Sequence, residues 1–430
     1  MHSKSFEEFY KSSGISTDTR AISKDCLFVC IKGENFDGNT FASTALKQGA
    51  RHVIVDDKAY FTQPKSMTLV TNSVTYLQEL ANFHRKKFKI PVIGVTGSNG
   101  KTTTKELIQK VLAKKYKVLA TIGNLNNHLG VPFTLLRLTE EHDIAIIEMG
   151  ANKFKDIEEL CDIAEPSYGI ITNIGKAHLE GFIDFDGVLK TKRELYGAIE
   201  KVSGTIVVNQ DDNVLVDILP KNIERFTYGT NEQSDILGNL VSLTPFVNMT
   251  WKSESFTSSD IETKMVGKYN FYNYLAAVTF GKLFDVSNND ISKAIEDYTP
   301  TNNRSQVSKT DKNTIILDCY NANPTSMRSA LESFAMIDHA DKVFILGDMK
   351  ELGNESHQEH KEIIDLVEAL NLNGFTVGDE FHDLNSENII KSFQTTQDLI
   401  AHLSNAPLSN KLVLLKGSRS IGLEKSQTLL

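Results

Sequence analysis

Gly97, Gly100, Lys101 and Thr102 fall together in the stretch "VIGVTGSNGKTTTKELIQKVL", which runs from Val92 to Leu112. A glycine turn followed by a lysine and hydroxyls at a helix start suits one chemistry above others, the holding of a polyphosphate. Glycine admits backbone angles that let neighbouring N–H groups converge on an anion, and a helix N-terminus adds partial positive charge. Lys101 supplies a full charge, and the Thr102 hydroxyl suits a Mg²⁺ ion riding on the phosphates. Thr96, Gly97, Ser98, Asn99, Gly100, Lys101, Thr102 and Thr103 are therefore the candidate nucleotide contacts. The strict G-x-x-x-x-G-K-[ST] spacing is not met, because Val95 stands at its first glycine. The competing reading is a plain glycine turn with a solvated lysine. An apolar run before the turn and a helix-like run after it favour the phosphate.

Such a cradle needs strands and helices to aim it. "PVIGVTG", "DIAIIEMG", "YGIITNIG" and "SGTIVVNQDD" are apolar runs without alternation, and "KTTTKELIQKVLAKKY" has helical character. This pattern predicts a mostly parallel sheet with helices on both faces. Glu148 closes "IAIIEMG" at the C-terminal edge of a strand, where open α/β sheets bind ligands. It is a candidate ligand contact, with a strand-end salt bridge as the alternative. From Phe226 to Met265 the pattern suggests irregular β-hairpins, and "GKYNFYNYLAAVTFGKLF" returns to helix. Asn270 and Asn273 share a face of that helix, where amides can read an adenine edge. A helix-start cap by Asn270 is the alternative.

Polar "DYTPTNNRSQ" reads as a hinge. Beyond it, "NTIILDCY", "DKVFILGDM" and "KLVLLKG" alternate with helices such as "TSMRSALESFAMI", predicting a second, doubly wound layer. Asp318, Asp348 and Lys416 end its strands, and Lys416 with Arg419 supplies cations for a phosphate or a carboxylate. Before the cradle, "CLFVCIKG" and "HVIVDD" read as strands, "FASTALKQGA" as a helix stopped by Gly49, and "SVTYLQELANFHRKKF" as a helix with a basic end. The expected domains are residues 1–88, 89–301 and 302–430, in an α/β fold.

Composition bounds the function. A chain of 430 residues is too long for one ordinary core. Its formal net charge of −9 argues against nucleic acid as a partner. Cys26, Cys30, Cys161 and Cys319 form no metal-finger or CxxC spacing, which fits free thiols in a reducing compartment. The N-terminal stretch has no apolar signal core, and no run of eighteen apolar residues occurs, so no membrane span is expected. A cytoplasmic monomer is the expectation.

"VTGSNGKTTT" resembles the ATP loop of the Mur ligases, the ATP-dependent amide-forming enzymes of peptidoglycan synthesis. The likeness extends in family order through "STDTR" at Ser16–Arg20, "GNLNNHLGVP" at Gly123–Pro132, "IIEMGAN" at Ile146–Asn152 and "TNIGKAHLEGF" at Thr172–Phe182. It continues through "GKYNFYN" at Gly267–Asn273, "DCYNANPTSM" at Asp318–Met327, "LGDMKELG" at Leu346–Gly353 and "LKGSR" at Leu415–Arg419. The strings "YNANPTSM" and "GDMKELG" are similar to those of the member that adds D-alanyl-D-alanine to UDP-N-acetylmuramoyl-tripeptide.

The resemblance implies three domains: a small N-terminal α/β domain, a central P-loop-type sheet and a C-terminal Rossmann-like domain that binds the acceptor. It implies ATP, two Mg²⁺ ions and an acyl-phosphate intermediate. Glu148 and His178 become metal ligands, and Lys192, which by itself reads as a solvated surface lysine, becomes a carbamylated residue facing metal. Arg304 is implied for the γ-phosphate and Asp318 for the nucleotide. Tyr320, Asn321 and Asn323 fall to the nucleotide and acceptor side. Ser16, Asp18, Thr19 and Arg20 are implied for the uridine diphosphate, although "STDT" equally suits a capped turn. Asn126 and Asn127 are implied for the sugar-peptide. Three positions depart from the family pattern: Arg193 and Asn303 where glycine is usual, and His128 where an acid is common. A ligase adding the third amino acid, a folylpolyglutamate-synthetase-like ligase and a regulatory P-loop NTPase are the alternatives. Substrates on separate domains imply closure near Pro300–Arg304, with Arg304 far from Lys101 in the free chain.

Overall fold

A computed structural model describes residues 3–177, 179–384 and 390–430. The chain divides into two compact units. The first comprises Met1–Ile90, Thr121–Asp143 and Glu159–Glu165. Its sheet has four parallel strands in the order Ile15–Ser16, Leu27–Val29, His52–Val55 and Met67–Leu69. Leu27, Phe28 and Val29 are all buried, the reason this strand shows no polar alternation. The helix Ser73–Arg85 starts at Asn72, whose side chain accepts from the Thr75 N–H. Tyr76, Leu77, Leu80, Ala81 and His84 form its inward stripe.

The second unit holds two sheets. The ten-stranded sheet has the path Phe256–Thr257, Asn248–Ser253, Ile236–Ser242, Glu224–Gly229, Thr205–Asn209, Tyr168–Ile171, Val92–Thr96, Ile144–Glu148 and Val118–Ala120, with Ile261–Glu262 paired to Asn248–Ser253. The stretch expected as irregular hairpins differs: Glu224–Gly229 pairs in parallel with both Thr205–Asn209 and Ile236–Ser242. The antiparallel part begins only between Ile236–Ser242 and Asn248–Ser253. Leu107, Ile108 and Val111 of the helix Lys101–Leu112 pack with Phe271, Tyr274 and Val278 of Lys268–Leu283 over Ile93, Val95, Ile146 and Val207. That second helix is buried nearly all round, which is why its apolar residues are not confined to one stripe.

The six-stranded sheet runs Gln306–Lys309, Thr314–Asp318, Leu412–Lys416, Lys342–Gly347, Asn373–Val377 and Lys391–Phe393. All its pairs are parallel except the first. Asp318 and Lys416 are register partners at the C-terminal ends of adjacent strands, the edge where such sheets bind ligands.

Candidate active site

The candidate phosphate loop leaves the buried strand Val92–Thr96 and ends at Gly100, directly before the helix Lys101–Leu112. Gly97 has φ +143° and Gly100 has φ +78°. A Cβ at Gly97 would lie 2.0 Å from Thr172 Oγ1, and one at Gly100 would lie 2.8 Å from Asn273 Oδ1, so both positions need glycine. The chain after the strand Tyr168–Ile171 braces the loop. Asn99 N–H donates to Asn173 Oδ1 at 3.0 Å, Asn173 Nδ2 donates to Asn99 O at 2.9 Å, and Ser98 Oγ bonds Gly175 O at 3.0 Å. Thr96 Oγ1 donates to Met149 O at 2.7 Å, and Thr103 is buried on the first helical turn.

Lys101 Nζ donates to the loop carbonyls of Gly97 and Ser98 at 2.7 and 3.1 Å. Burial lowers its pKa; Glu148 opposes that shift and Arg304 adds to it. Thr102 Oγ1 donates to Glu148 Oε1 at 3.0 Å. Two hard oxygen donors at the mouth of a glycine cradle suit Mg²⁺, and the buried Asn99 Nδ2, which has no partner among the described residues, is an available donor for a phosphate oxygen. These residues fit a magnesium nucleotide. Among the described residues no three His, Cys, Asp or Glu side chains gather into a metal cluster. His178 lies outside the described residues.

Lys192 corrects the plain reading of its helix. It is 2% exposed in Phe185–Lys201, with Nζ 5.9 Å from the Phe182 ring centroid. Burial pushes its pKa well down; Lys101 pushes the same way, while Asp156 and Glu194 oppose. The amine is thereby held toward its neutral, nucleophilic form. Neighbouring Arg193 donates through Nε to Ile218 O at 3.2 Å, a packing role that glycine could not fill.

Asn270 and Asn273 lie beside the loop, where a Cβ at Gly100 would meet Asn273. Both are buried and both amides bond inward. Asn273 Oδ1 accepts from Thr104 Oγ1 at 3.1 Å, Asn273 Nδ2 donates to Asn270 Oδ1 at 2.9 Å, and Asn270 Nδ2 donates to Val266 O at 2.7 Å. Asn273 thereby braces Gly100 and Thr104 at the end of the loop. Asn270 does not cap the helix, whose N-cap is Gly267.

From the six-stranded layer, Arg304 lies with its guanidinium 3.5 Å from the Tyr320 ring centroid. Its charge reaches both Lys101 and Lys105. The connector before it is held to the helix Lys101–Leu112, where Asn302 Nδ2 donates to Glu106 Oε1 at 3.0 Å. Asn303 has φ +54°, a left-handed angle that asparagine tolerates where glycine would be at ease. Asp318 accepts Ser305 N–H at 3.1 Å through Oδ1 and holds Lys416 Nζ at 2.6 Å through Oδ2. Lys416 is therefore engaged with Asp318, whereas Arg419 is exposed, with its guanidinium 5.6 Å from the Tyr320 centroid. Asn323 caps the helix Pro324–Met336 with Oδ1 and donates through Nδ2 to Asn99 Oδ1 at 2.7 Å. Asn321 is exposed beside it.

In the first unit, Asp18 Oδ2 meets Arg20 at 2.7 Å and Asp18 caps the turn Thr19–Ala21. The Arg20 hydrogen bonds hold the Asp18 carboxyl down at about 2. Ser16 Oγ donates to Asp18 O at 3.1 Å. This is the capped-turn arrangement. Asn127 Oδ1 accepts from Gly130 N at 2.9 Å, at the start of the helix Gly130–Leu135, and Asn126 is half-buried beside it.

Sequence reasoning missed Lys105, 3% exposed and four residues beyond Lys101 on the same helix. That i,i+4 spacing was the available signal. It also missed Lys176, which bonds the buried Glu359 at 2.6 Å, because no spacing links them.

Three family models match: the Mur ligase middle domain over residues 95–281, the Mur ligase glutamate ligase domain over 303–419, and the Mur ligase catalytic domain over 11–109. The UDP-N-acetylmuramoyl-tripeptide–D-alanyl-D-alanine ligase of Bacillus subtilis is 33% identical over 429 residues, spanning 96% of this chain and 92% of that one. The chain belongs to the Mur ligase family. The enzyme of the same name from Escherichia coli is 31% identical, covering 96% of this Mur ligase and 92% of that relative. MurF from Acinetobacter baumannii superposes with a TM-score of 0.88 at 32% identity over 96% of this chain and 92% of that one. MurF ligase from Thermotoga maritima in complex with ADP superposes with a TM-score of 0.88 at 25% identity over 98% and 97%. The fold is the three-domain Mur ligase architecture.

Proposed function

We propose that this chain joins D-alanyl-D-alanine to UDP-N-acetylmuramoyl-tripeptide at the expense of ATP, in the building of the peptidoglycan precursor. The observation that carries a ligase, as opposed to a nucleotide switch, is the meeting of two layers at one loop, where Asn323 Nδ2 donates to Asn99 Oδ1 at 2.7 Å. The choice of substrates rests on the likeness to the D-alanyl-D-alanine ligases along 96% of the chain.

In the first step a carboxylate oxygen of the tripeptide attacks the γ-phosphorus of ATP, ADP leaves, and an acyl phosphate forms. In the second the dipeptide amine attacks the acyl carbon, loses a proton, and phosphate departs. Lys101 and Arg304 spread the charge that moves onto the phosphoryl oxygens. The loop N–H groups and Asn99 orient the phosphates, and Asp318 fixes the turn that carries Arg304. Tyr320, Asn321, Asn323 and Arg419 line the acceptor side, with Lys416 set by Asp318. Thr102, Glu148, His178 and Lys192 would hold magnesium, which when bound neutralises phosphate charge. Lys192 takes part as a carbamate: its neutral amine adds to CO₂ and loses a proton, leaving an anion. Ser16, Asp18, Thr19, Arg20, Asn126 and Asn127 serve the UDP-sugar. The domain bounds are 1–88, 89–301 and 302–430, and the enzyme works as a cytoplasmic monomer. No helix among the described residues is long and apolar enough to cross a membrane.

Phosphate release measured with each substrate omitted in turn tests the reading. Release should require both UDP-N-acetylmuramoyl-tripeptide and D-alanyl-D-alanine. Equal release without the dipeptide would favour a nucleotide switch.

A further inference from the structure

Arg304 sits in a turn fixed from two sides. On one side are the Ser305 N–H bond to Asp318 and the stack on Tyr320. On the other is Glu106, on the same helix that begins with Lys101. Glu106 Oε2 accepts from Tyr298 OH at 2.6 Å, and Asn302 Nδ2 donates to Oε1 and Oε2 at 3.0 and 3.2 Å. One carboxylate thus holds both ends of the connector 298–302. Asn303 and Ser305, on either side of Arg304, both have left-handed backbones, with φ +54° and +49°. Asparagine tolerates that region, whereas serine adopts it only where the surroundings hold it, as the Ser305 N–H bond to Asp318 does here. Lys105 Nζ lies 3.9 Å from Glu106 Oε1.

We infer that Glu106 is a positioning residue for Arg304, tying the connector that leads to it to the helix whose N-terminus carries Lys101. The inference rests on the reading of Arg304 as a contact of the transferring phosphoryl group. Asn302 is its working partner, because its two bonds to Glu106 come two residues before Arg304. A side chain that positions a transition-state contact lowers kcat more than it raises KM when it is lost. One that merely braces the connector changes stability instead.

The test is a double-mutant cycle on the full chain with ATP, tripeptide substrate and dipeptide. Glu106→Ala should lower kcat about tenfold with little change in the KM for ATP. In an Arg304→Ala background the same change should cost less than about twofold, because residues that act through one another are not additive. Asn302→Ala, made in the same two backgrounds, should reproduce the pattern and serves if Glu106→Ala fails to fold. A kcat within twofold of wild type for both Glu106→Ala and Asn302→Ala overturns the inference. So does an undiminished tenfold loss in the Arg304→Ala background, which would mean that Glu106 acts by another route. Full activity in Arg304→Ala alone would instead overturn the role of Arg304 and remove the basis of the inference.

Discussion

Asn323 Nδ2 stands 2.7 Å from Asn99 Oδ1, so that one side chain caps a helix of the six-stranded layer and touches the phosphate loop. The two duties are separable. Asn323→Asp keeps the capping oxygen but turns a donor into an acceptor facing Asn99 Oδ1. It also brings negative charge toward a polyphosphate site. The thermal midpoint should hold near wild type while kcat/KM falls about tenfold, or roughly 1.4 kcal/mol of barrier. Asn323→Ala should lose both, with about 1 kcal/mol of stability from the cap. Steady-state assays beside thermal melts check the separation, and an Asp variant at wild-type kcat/KM would show that the bridge is idle.

Lys101→Ala removes a full charge aimed at the phosphates. Ligation should fall at least about a hundredfold, near 2.7 kcal/mol, with the fold retained. A kcat/KM within about threefold of wild type would sink the phosphate-loop reading.

A neutral amine at Lys192 should take up CO₂. With ¹³C-bicarbonate, a carbamate carbon should appear in the NMR spectrum of wild type and be absent in Lys192→Ala. The variant should be inactive and recover in part with a short added carboxylic acid. Full activity without any label would contradict the carbamate.

The charge pair Lys176–Glu359 joins the loop after Tyr168–Ile171 to the helix Ser356–Ala369. Lys176→Glu puts two carboxylates in contact and should lower activity and increase the radius of gyration by small-angle scattering. Adding Glu359→Lys should restore both. An unaltered scattering curve for the single variant would dismiss the pair as a closure contact.

His360 is buried, and burial depresses its pKa; the Ser356 carbonyl and Asp348 oppose that. Nε2 accepts the Met349 N–H at 2.9 Å and Nδ1 donates to Ser356 O at 2.7 Å. The unfolded ring takes a proton near pH 6.5, and the folded ring takes it only at lower pH. The unfolded state thus binds more protons below about 6.5, so stability is complete above that value and declines on acidification. His52 and His84 shift in the same direction, also chiefly through burial. The thermal midpoint should drop between pH 7 and 5, and His360→Gln should show a shallower slope over the same range.

What could be read in the chain itself was local. The glycine loop is one run of neighbours whose glycine angles, lysine and hydroxyls lie together, so spacing was enough to mark it as the candidate phosphate site. Unbroken apolar runs likewise marked the buried parallel strands, and Gly49 marked a helix end. What required the tertiary structure was set by packing between distant segments. Lys192 looks like any charged helix residue, yet the helix lies against the core and strips its amine of water. The Asn270–Asn273 pair was recognisable as one helix face, but only packing showed that the face turns inward to brace Gly100. Parallel pairing of Glu224–Gly229 with Ile236–Ser242 escaped the pattern because a short polar link looks like a hairpin turn. The seat of Arg304 was hidden for the same reason. It is made by Glu106 and Asp318, far apart in sequence, and a carboxylate's partner is chosen by the three-dimensional path of the chain, which spacing along it does not record.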